Sequence, residues 1–280
     1  MIFLIDGNWY LHRVFYTTVS KRSFEKALIH NFLSLVCKDA LALRAKKLLV
    51  CFDGPKVFRY KIYKDYKANR HKGKEGGDIQ VNKDVYEYLE PLLSVMTAIK
   101  MPWIQPPTYE ADDALCSGAY KYKEVICGTK DKDSYQYLNK SVSLYDSSNK
   151  INGEPHPKII TYKDVQTKVL VSQMVDYQTL IGDAIDNIPR IVTSAKAKNI
   201  LSKHKTLANA LRSKEYDDIL LPELENLKRN RKLVKLCNDV PLPELDSINF
   251  PRTENEFADL LPKSYYSYQE FIHPRSRGLW

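Results

Sequence analysis

The sequence of 280 residues lacks any long apolar segment. Its first apolar run, residues 2–5, stops at Asp6, and no later run approaches the roughly 18 apolar residues that a membrane-spanning helix requires. A run of four residues is also too short for the core of a signal peptide. We therefore expect a protein of the cytoplasm, or of the host cytoplasm if it is a phage protein, with no membrane partner.

Cysteine is scarce, and its pattern excludes two classes of protein. The five cysteines are scattered, odd in number and without CxxC spacing. A disulfide framework or a cysteine-based zinc site would need paired or regularly spaced cysteines. The sequence therefore predicts reduced thiols and a core that folds without a disulfide or a zinc ion.

Acidic residues are in the minority, with 34 Asp and Glu against 43 Lys and Arg, for a net charge of +9. Such a balance favours a polyanionic partner, above all nucleic acid. The basic residues are densest in residues 56–74, where eight Lys or Arg surround one acid, Asp65, and alternate with aromatic residues. Because bases stack on aromatic rings while phosphates pair with cations, this segment suits single-stranded nucleic acid. A solvated basic loop is the alternative interpretation.

The apolar pattern predicts an α/β fold with a mostly parallel central sheet flanked by helices. Short apolar runs at residues 1–5, 47–52 and 125–127 alternate with helical patterns at 24–43, 85–99 and 110–122. Strand-like segments at 142–146 and 158–162 enclose Asn152-Gly153, which predicts a hairpin-like excursion. Helices are predicted at 165–181, 195–201, 206–211 and 224–238, followed by an irregular tail from 240. We divide the chain into a domain of residues 1–164 and a helical domain of residues 165–280.

Carboxylates follow the predicted strands and cluster elsewhere in the chain. Since the carboxyl ends of parallel strands meet at one edge of a sheet, Asp6, Asp53 and the acids at 131 and 133 should face one crevice. Crowded carboxylates repel one another and favour hard divalent cations such as Mg²⁺, and no histidine lies among them to suggest zinc. Taken singly, each acid is also explained as a helix cap, a helix N-terminal charge or a polar turn.

These residues fall into motifs that resemble the 5′ nuclease family. This family comprises bacteriophage flap endonucleases or 5′→3′ exonucleases and the 5′-nuclease domains of bacterial DNA polymerase I. The motifs are LIDGN at 4–8, FD at 52–53 with FR at 58–59 and YKDYKANR at 63–70, EADD at 110–113, DKDSYQ at 131–136 and GDAIDNIP at 182–189. They occur in the family's order across roughly residues 2–210.

The resemblance implies a resolvase or PIN-like nuclease domain with a helical arch over residues 56–90, and a C-terminal domain similar to a helix-hairpin-helix. It implies two Mg²⁺ ions, with Mn²⁺ as a possible substitute, held by nine carboxylates: Asp6, Asp53, Glu110, Asp112, Asp113, Asp131, Asp133, Asp183 and Asp186. The catalytic residues that it implies are Lys67, Arg70, Asp53 and Asp113. The DNA-binding residues are Arg13, Arg59, Tyr66, Lys67, Arg70, Arg190, Lys196 and Lys198, with Tyr66 stacking on a base near the scissile phosphate.

One segment departs from the family pattern. After DNIP the family usually has a glycine-rich hairpin whose backbone amides meet a duplex phosphate, often with a monovalent cation. Residues 189–197 of this chain contain no glycine. The departure puts the monovalent-cation site in doubt and leaves Arg190, Lys196 and Lys198 as substitutes with side-chain charge.

The predicted function is hydrolysis of 5′-flap or 5′-ended DNA by a two-metal mechanism, leaving a 5′-phosphate and a 3′-hydroxyl, by a free-standing monomer. An RNase H-like enzyme acting on RNA/DNA hybrids, a PIN-type ribonuclease and a non-catalytic branched-DNA binding protein remain alternatives. The sequence does not choose between exonuclease and endonuclease action.

Overall fold

The computed structural model describes residues 1–18, 24–68, 85–166 and 169–251, together with residues 256 and 259. Within these ranges six strands form a central sheet in the order β3-β2-β1-β4-β5-β8. The strands are β1 (Ile2–Asp6), β2 (Lys47–Cys51), β3 (Trp103–Ile104), β4 (Val125–Gly128), β5 (Val142–Asp146) and β8 (Lys158–Ile160). All neighbouring pairs are parallel except β5 and β8, which confirms the mostly parallel sheet.

Both faces of this sheet are covered, and the strand residues alternate between two apolar cores. Phe3 and Ile5 of β1 point into one core, whereas Leu4 points into the other. Successive side chains of a strand face opposite sides of the sheet, so a continuous apolar run is what a strand buried on both faces requires. The short apolar runs of the sequence therefore form the central strands of the sheet, between the two apolar cores.

Helices flank the sheet and make up most of the described chain after residue 170. The α-helices are α1 (Gly7–Thr18), α2 (Phe24–Ala42), α3 (Arg59–Ile62), α4 (Leu89–Ala98), α5 (Ala111–Lys121), α6 (Tyr162–Gln166), α7 (Met174–Ile181), α8 (Ser194–His204), α9 (Leu207–Ser213), α10 (Asp217–Leu220) and α11 (Leu224–Val234). Two 3-10 helices cover Lys132–Tyr137 and Val171–Gln173. No helix in these ranges is long and apolar enough to cross a lipid bilayer.

The predicted hairpin is confirmed. Strands β6 (Lys150–Ile151) and β7 (Glu154–Pro155) pair antiparallel around Asn152 and Gly153. Both turn residues have positive φ, 52° and 85°, as a two-residue hairpin turn of the primed type requires. All five cysteines are free, as their spacing predicts.

Two predicted helices are wrong in extent. The single helix predicted at 165–181 is divided, because Leu170 is extended and Gln173 uses its side-chain amide to bind the carbonyls of Leu201 and Lys205. The helix predicted at 224–238 ends at Val234, because the next backbone amides have partners elsewhere: Leu236 N donates to Gln136 Oε1 at 3.2 Å and Cys237 N to Asp113 Oδ1 at 2.8 Å. In both cases contacts distant in sequence overrode a local helical pattern.

The region after residue 165 contributes to two different cores. Leu180, Leu201, Leu207 and Leu227 belong to a separate apolar cluster formed by the helical region. Met174, Leu236, Val240 and Leu245, by contrast, pack in the core beneath the sheet. Residues 240–251 have no regular secondary structure, as predicted, but are fixed to the sheet side by the Ile248 N to Lys46 O hydrogen bond of 2.9 Å.

Candidate active site

A cavity of about 350 Å³ opens at the carboxyl ends of β1, β2 and β4. Asp6 is the last residue of β1, Asp53 follows β2, and Asp131 follows β4. The residues that line it are Asp6, Asn8, Trp9, His12, Asp53, Lys67, Tyr86, Ala111, Asp112, Lys130 and Asp131. The structure thus brings together carboxylates from four separate stretches of sequence, as the parallel sheet predicts.

Helix ends fix two of these carboxylates. Asp6 Oδ1 accepts a hydrogen bond of 2.9 Å from Trp9 N in the first turn of α1, and Asp53 Oδ1 accepts one of 2.8 Å from Ala111 N at the start of α5. Free backbone N–H groups and the helix dipole favour a negative charge at both places. Gly7, the first residue of α1, follows β1 directly, and a Cβ at this position would lie 2.5 Å from the Phe52 ring. Packing against Phe52 therefore explains why a glycine follows Asp6 at the end of the strand.

Burial and the repulsion of neighbouring carboxylates make the ionised forms of Asp6 and Asp112 unfavourable. Burial raises the pKa of Asp6 to about 7, with further upward contributions from Asp53 and Asp131 and an opposing one from the Trp9 hydrogen bond. The pKa of Asp112 is raised well above its usual value by burial and by the charges of Asp131 and Asp6. A cation in the cavity would relieve this repulsion.

The donor set fits a divalent cation in chemistry but is not a preformed ligand cage. Asp112 Oδ1 is buried and has no hydrogen-bond partner among the described residues, so its lone pairs are unused. Carboxylate oxygens are the ligands that hard cations such as Mg²⁺ prefer. Nevertheless, within the described ranges no three His, Cys, Asp or Glu side chains are grouped closely enough to hold an ion as they stand.

The second predicted group of acids lies beside the first. Asp133 and Asp183 line an adjacent cavity of about 570 Å³, together with Lys132, Lys158 and Lys198. Burial raises the pKa of Asp133, and the charges of Asp131, Asp183 and Asp186 add to the shift. Asp131 lines the first cavity but acts electrostatically on the second group, so it lies between the two.

Glu110 does not line either cavity. It is the N-terminal cap of α5, forms a capping box with Asp113, and makes an ion pair through Oε1 with the Lys67 ammonium. Its Oε2 lies 3.1 Å from Arg59 Nη1 and accepts a hydrogen bond of 3.0 Å from the Tyr66 hydroxyl. Glu110 therefore connects the cavity to the segment at 59–67.

Two predicted roles are corrected by the pair of Arg59 and Asp113. Neither side chain is exposed. Arg59 donates to both oxygens of Asp113, at 2.6 and 2.7 Å, and to the carbonyl of Leu233 at 2.8 Å. Arg59 is therefore inaccessible to DNA, contrary to its predicted DNA-binding role. The oxygens of Asp113 are occupied by Arg59 and by the backbone amides of Glu110 and Cys237, so this carboxylate orients neighbouring groups and does not face the cavity.

The predicted stacking of Tyr66 on a base is also contradicted by its position. Tyr66 is 4 % exposed, and its ring belongs to a small apolar cluster with Ile188, Leu233 and Val234. Its hydroxyl contacts Glu110 and, at 3.1 Å, Asp186 Oδ2. Because the Tyr66 ring is almost completely buried, neither of its faces is accessible to a nucleobase in this structure.

The remaining predicted DNA-binding residues occupy varied positions. Arg13 lies with its guanidinium 6.0 Å from the Trp9 ring centroid and donates to Ser147 Oγ. Arg190 and Lys198 are exposed, whereas Lys196 is half-buried with its ammonium 6.0 Å from the Tyr216 ring centroid. Arg70 and residues 69–84 of the predicted arch lie outside the described residues.

Two backbone amides of the glycine-free segment are used inside the protein. The backbone amides of Ile191 and Val192 both donate to the carbonyl of Leu180 at 3.0 Å. These two donors are satisfied inside the protein, and a role of Arg190, Lys196 and Lys198 in phosphate contact stays a prediction.

Several residues of the first cavity, including Asn8 and Lys130, were not predicted as site residues from the sequence. Asn8 Oδ1 accepts a 3.1 Å hydrogen bond from Asp53 N, while its Nδ2 is buried without a partner among the described residues. The available signal was position: Asn8 follows Asp6-Gly7 at the end of β1, and Lys130 immediately precedes Asp131.

Comparisons with known proteins agree with this architecture. Residues 1–170 match the family model described as "5'-3' exonuclease, N-terminal resolvase-like domain". A curated 5'-3' exonuclease of Aquifex aeolicus is 28% identical, covering 93% of each chain, and DNA polymerase I of Deinococcus radiodurans is 29% identical over 85% of this chain but only 25% of its own length.

Solved structures are similar in fold. The T5 5'-exonuclease with bound divalent zinc ions has a TM-score of 0.69 at 20% identity, covering 83% of this chain and 88% of that one. A bacteriophage T5 flap endonuclease, solved as a pseudo-enzyme-product complex with DNA and metal ions, has a TM-score of 0.68 at 19% identity with the same coverage. At this identity the similarity establishes the architecture.

Proposed function

The chain belongs to the family of the 5′-3′ exonuclease N-terminal, resolvase-like domain, and on that premise we propose that it is a metal-dependent, structure-specific 5′ nuclease acting on DNA. One observation carries the proposal: Asp6, Asp53, Asp112 and Asp131 line one cavity at the carboxyl edge of the sheet. The activity for which the family is named indicates the type of reaction, and the carboxylate-lined cavity is where we expect it to take place. The relatives named above and the DNA-bound T5 flap endonuclease support 5′-flap or 5′-ended DNA as the substrate.

We assign the cation-holding role to two adjacent groups of carboxylates. The first is Asp6, Asp53 and Asp112, and the second is Asp133, Asp183 and Asp186, with Asp131 between them. Mg²⁺ is the expected ion because all these donors are oxygen atoms, and Mn²⁺ should substitute for it. When bound, two such ions supply an activated water and offset charge on the attacking and leaving oxygens.

The side chains of this protein then position the substrate. Lys67 lines the cavity and its ammonium pairs with Glu110, and we assign this ammonium to the contact with a substrate phosphate. Its role is electrostatic, because positive charge stabilises the additional negative charge that a phosphoryl group develops during displacement. In-line attack would leave a 5′-phosphate and a 3′-hydroxyl.

Specificity is expected to follow DNA structure, with sequence playing little part, because phosphate contacts position a nucleic acid without reading its bases. The net charge of +9 predicts affinity that falls steeply as salt is raised. We further propose that the protein acts as a monomer in the cytoplasm, and that an RNA/DNA hybrid is a secondary substrate.

Product mapping on a 5′-labelled flap, with Mg²⁺ or with EDTA, tests the proposed function. Wild-type protein should release short 5′-phosphorylated products only when Mg²⁺ is present. Asp53→Asn should abolish cleavage while retaining flap binding, because the change removes charge from the cavity without removing the surface cations. Glu154→Gln, in the exposed β6–β7 hairpin, is the matched control and should cleave normally.

The same assay separates the alternatives. Preferential cleavage of single-stranded RNA would indicate a PIN-type ribonuclease, and cleavage confined to an RNA/DNA hybrid would indicate an RNase H-like enzyme. Flap binding with no Mg²⁺-dependent cleavage by the wild-type protein would indicate a non-catalytic DNA-binding protein.

A further inference from the structure

The Tyr66 hydroxyl lies between Glu110, which caps the helix that carries Asp112, and Asp186 of the second carboxylate group. It is 3.0 Å from Glu110 Oε2 and 3.1 Å from Asp186 Oδ2. Glu110 lies at the N-terminus of α5, whereas Asp186 lies in the loop that follows α7, 76 residues later in the chain. A tyrosine hydroxyl has one hydrogen to donate, so both carboxylates share that single donor.

The backbone around Tyr66 is tied to the same loop. Lys67 N donates to Asp186 O at 2.9 Å, and Asn187 Nδ2 donates to Asp65 O at 2.8 Å. Lys67 and Asn187 both have positive φ, 58° and 57°, which a residue with a side chain adopts only where surrounding contacts hold it. The segment at 65–67 and the loop at 186–187 therefore form one interlocked unit.

The other side of this unit is fixed to α5. Lys67 Nζ pairs with Glu110 Oε1, and Arg59 Nη1 approaches Glu110 Oε2 at 3.1 Å. The Tyr66 ring is enclosed by Ile188, Leu233 and Val234, so the hydroxyl cannot turn away to solvent without displacing packed side chains. The packing of the Tyr66 ring sets the direction of its hydroxyl, and the hydroxyl in turn contacts both carboxylates.

We propose that Tyr66 is a positioning residue whose hydroxyl fixes the separation of Glu110, at the start of the helix that carries Asp112, from Asp186 of the second group, so that both carboxylate groups can engage cations. The proposal rests on the proposed function for its reaction, but it concerns the relative positions of the carboxylates. It assigns the function of Tyr66 to its oxygen atom, whereas stacking on a base would assign the function to the ring.

This distinction makes Tyr66→Phe the decisive variant, because phenylalanine keeps the ring and removes only the oxygen. Partners that hydrogen-bond to metal-ligating side chains typically contribute 10–100-fold to metal affinity or activity. We therefore expect Tyr66→Phe to weaken Mg²⁺ binding about tenfold or more in calorimetric titrations without DNA, and to lower the single-turnover cleavage rate by a similar factor. Flap affinity in EDTA should be unchanged.

Tyr120→Phe is the matched control. Tyr120 is 62 % exposed on α5, the helix that Glu110 caps, and lies near its opposite end. The same chemical change there should leave Mg²⁺ affinity and cleavage at wild-type values. Circular dichroism melting of both variants verifies that each is folded.

Tyr66→Leu completes the comparison by removing ring and oxygen together. The hydroxyl link predicts that Tyr66→Phe and Tyr66→Leu are impaired alike in Mg²⁺ binding. Tyr66→Phe with Mg²⁺ affinity and cleavage within about twofold of wild type, beside an impaired Tyr66→Leu, would overturn the proposal and restore a role for the ring. If the wild-type protein binds Mg²⁺ but cuts no flap, the proposed nuclease function fails, and the calorimetric comparison still decides the role of the hydroxyl.

Discussion

Arg59 and Asp113 form a two-point ion pair that is completely shielded from solvent, with Nη1 2.6 Å from Oδ2 and Nη2 2.7 Å from Oδ1. Arg59 also donates to the carbonyl of Leu233, at the end of α11, and Asp113 accepts from the amide of Cys237 just beyond it. The pair therefore joins α3 and α5 to the chain that leaves α11. Arg59 and Asp113 both belong to the sequence motifs that predict the site, but their side chains are buried and do not line the cavity.

Removing one partner of this pair should be strongly destabilising. Arg59→Ala leaves the Asp113 carboxylate buried without its cation, and breaking a buried pair in this way typically costs about 3–5 kcal/mol. Urea denaturation of the wild type and the variant measures the change in the free energy of unfolding. Lys203→Ala removes the exposed pair with Glu215 and should give a change too small to resolve, since exposed pairs contribute little. Similar losses in both variants would contradict the structural role of Arg59.

Lys67 should matter to rate more than to affinity. Lys67→Ala removes the ammonium that lines the cavity, and loss of one such charge-stabilising group typically lowers the rate about a hundredfold or more. Single-turnover cleavage and flap binding in EDTA measure the two effects separately. Lys123→Ala changes a lysine beyond the far end of α5 and serves as the control for lost charge. A loss confined to flap affinity would reassign Lys67 to substrate docking.

The protein without metal should be more stable in mild acid than at neutral pH. Burial raises the pKa of Asp6 to about 7, from a usual value of 3.8, so the folded state binds this proton more tightly than the unfolded state does. The resulting stabilisation is complete below the unfolded pKa of 3.8 and is lost as pH rises through the folded pKa of about 7. The pKa values of Asp112 and Asp133 shift in the same direction.

Melting temperatures in EDTA at pH 5 and pH 8 test this prediction. The melting temperature should be lower at pH 8, and saturating Mg²⁺ should reduce the difference because a bound cation stabilises the ionised carboxylates. Asp6→Asn should flatten part of the pH dependence, since its side chain does not titrate. If the wild-type protein has the same melting temperature at pH 5 and pH 8 in EDTA, ionisation of these acids does not destabilise the folded state, and the prediction is wrong.

Gly182 should be intolerant of substitution. Its φ of 61° with ψ of −169° lies in a region that is essentially restricted to glycine, and an added Cβ would lie 2.4 Å from the carbonyl oxygen of Ile188. Gly182→Ala should lower stability by about 1–3 kcal/mol and disturb the adjacent Asp183. Gly153→Ala is the control, because Gly153 also has positive φ but an added Cβ there would meet nothing within 4 Å. Denaturation should show a smaller loss for the control, and equal losses would mean that strain alone explains both.

The sequence by itself determined the sheet and the position of the first cavity. Short apolar runs such as residues 2–5 and 47–52, alternating with helical patterns, favour strands buried on both faces, and parallel strands end at one edge of the sheet. Asp6 and Asp53 stand directly after such runs, and Asp131 lies four residues after the run at 125–127, so their convergence followed from local pattern and sheet geometry. The Asn152-Gly153 turn was equally local, because positive φ at two adjacent residues selects those residue types.

Only the tertiary structure decided which motif residues face the cavity and which lie under it. Arg59 and Tyr66 sit in a strongly basic, aromatic segment whose composition indicates a nucleic-acid surface, yet both are buried. Their partners, Leu233 and Asp186, are 174 and 120 residues away in sequence, and no local pattern encodes such a contact. Burial of a charge or a hydroxyl depends on whether distant groups satisfy it. The physical reason for the difference is the sequence distance over which the contacts act. A strand can be predicted from the apolar residues next to one another in the sequence. The role of a polar side chain depends instead on partners that only the folded chain brings close.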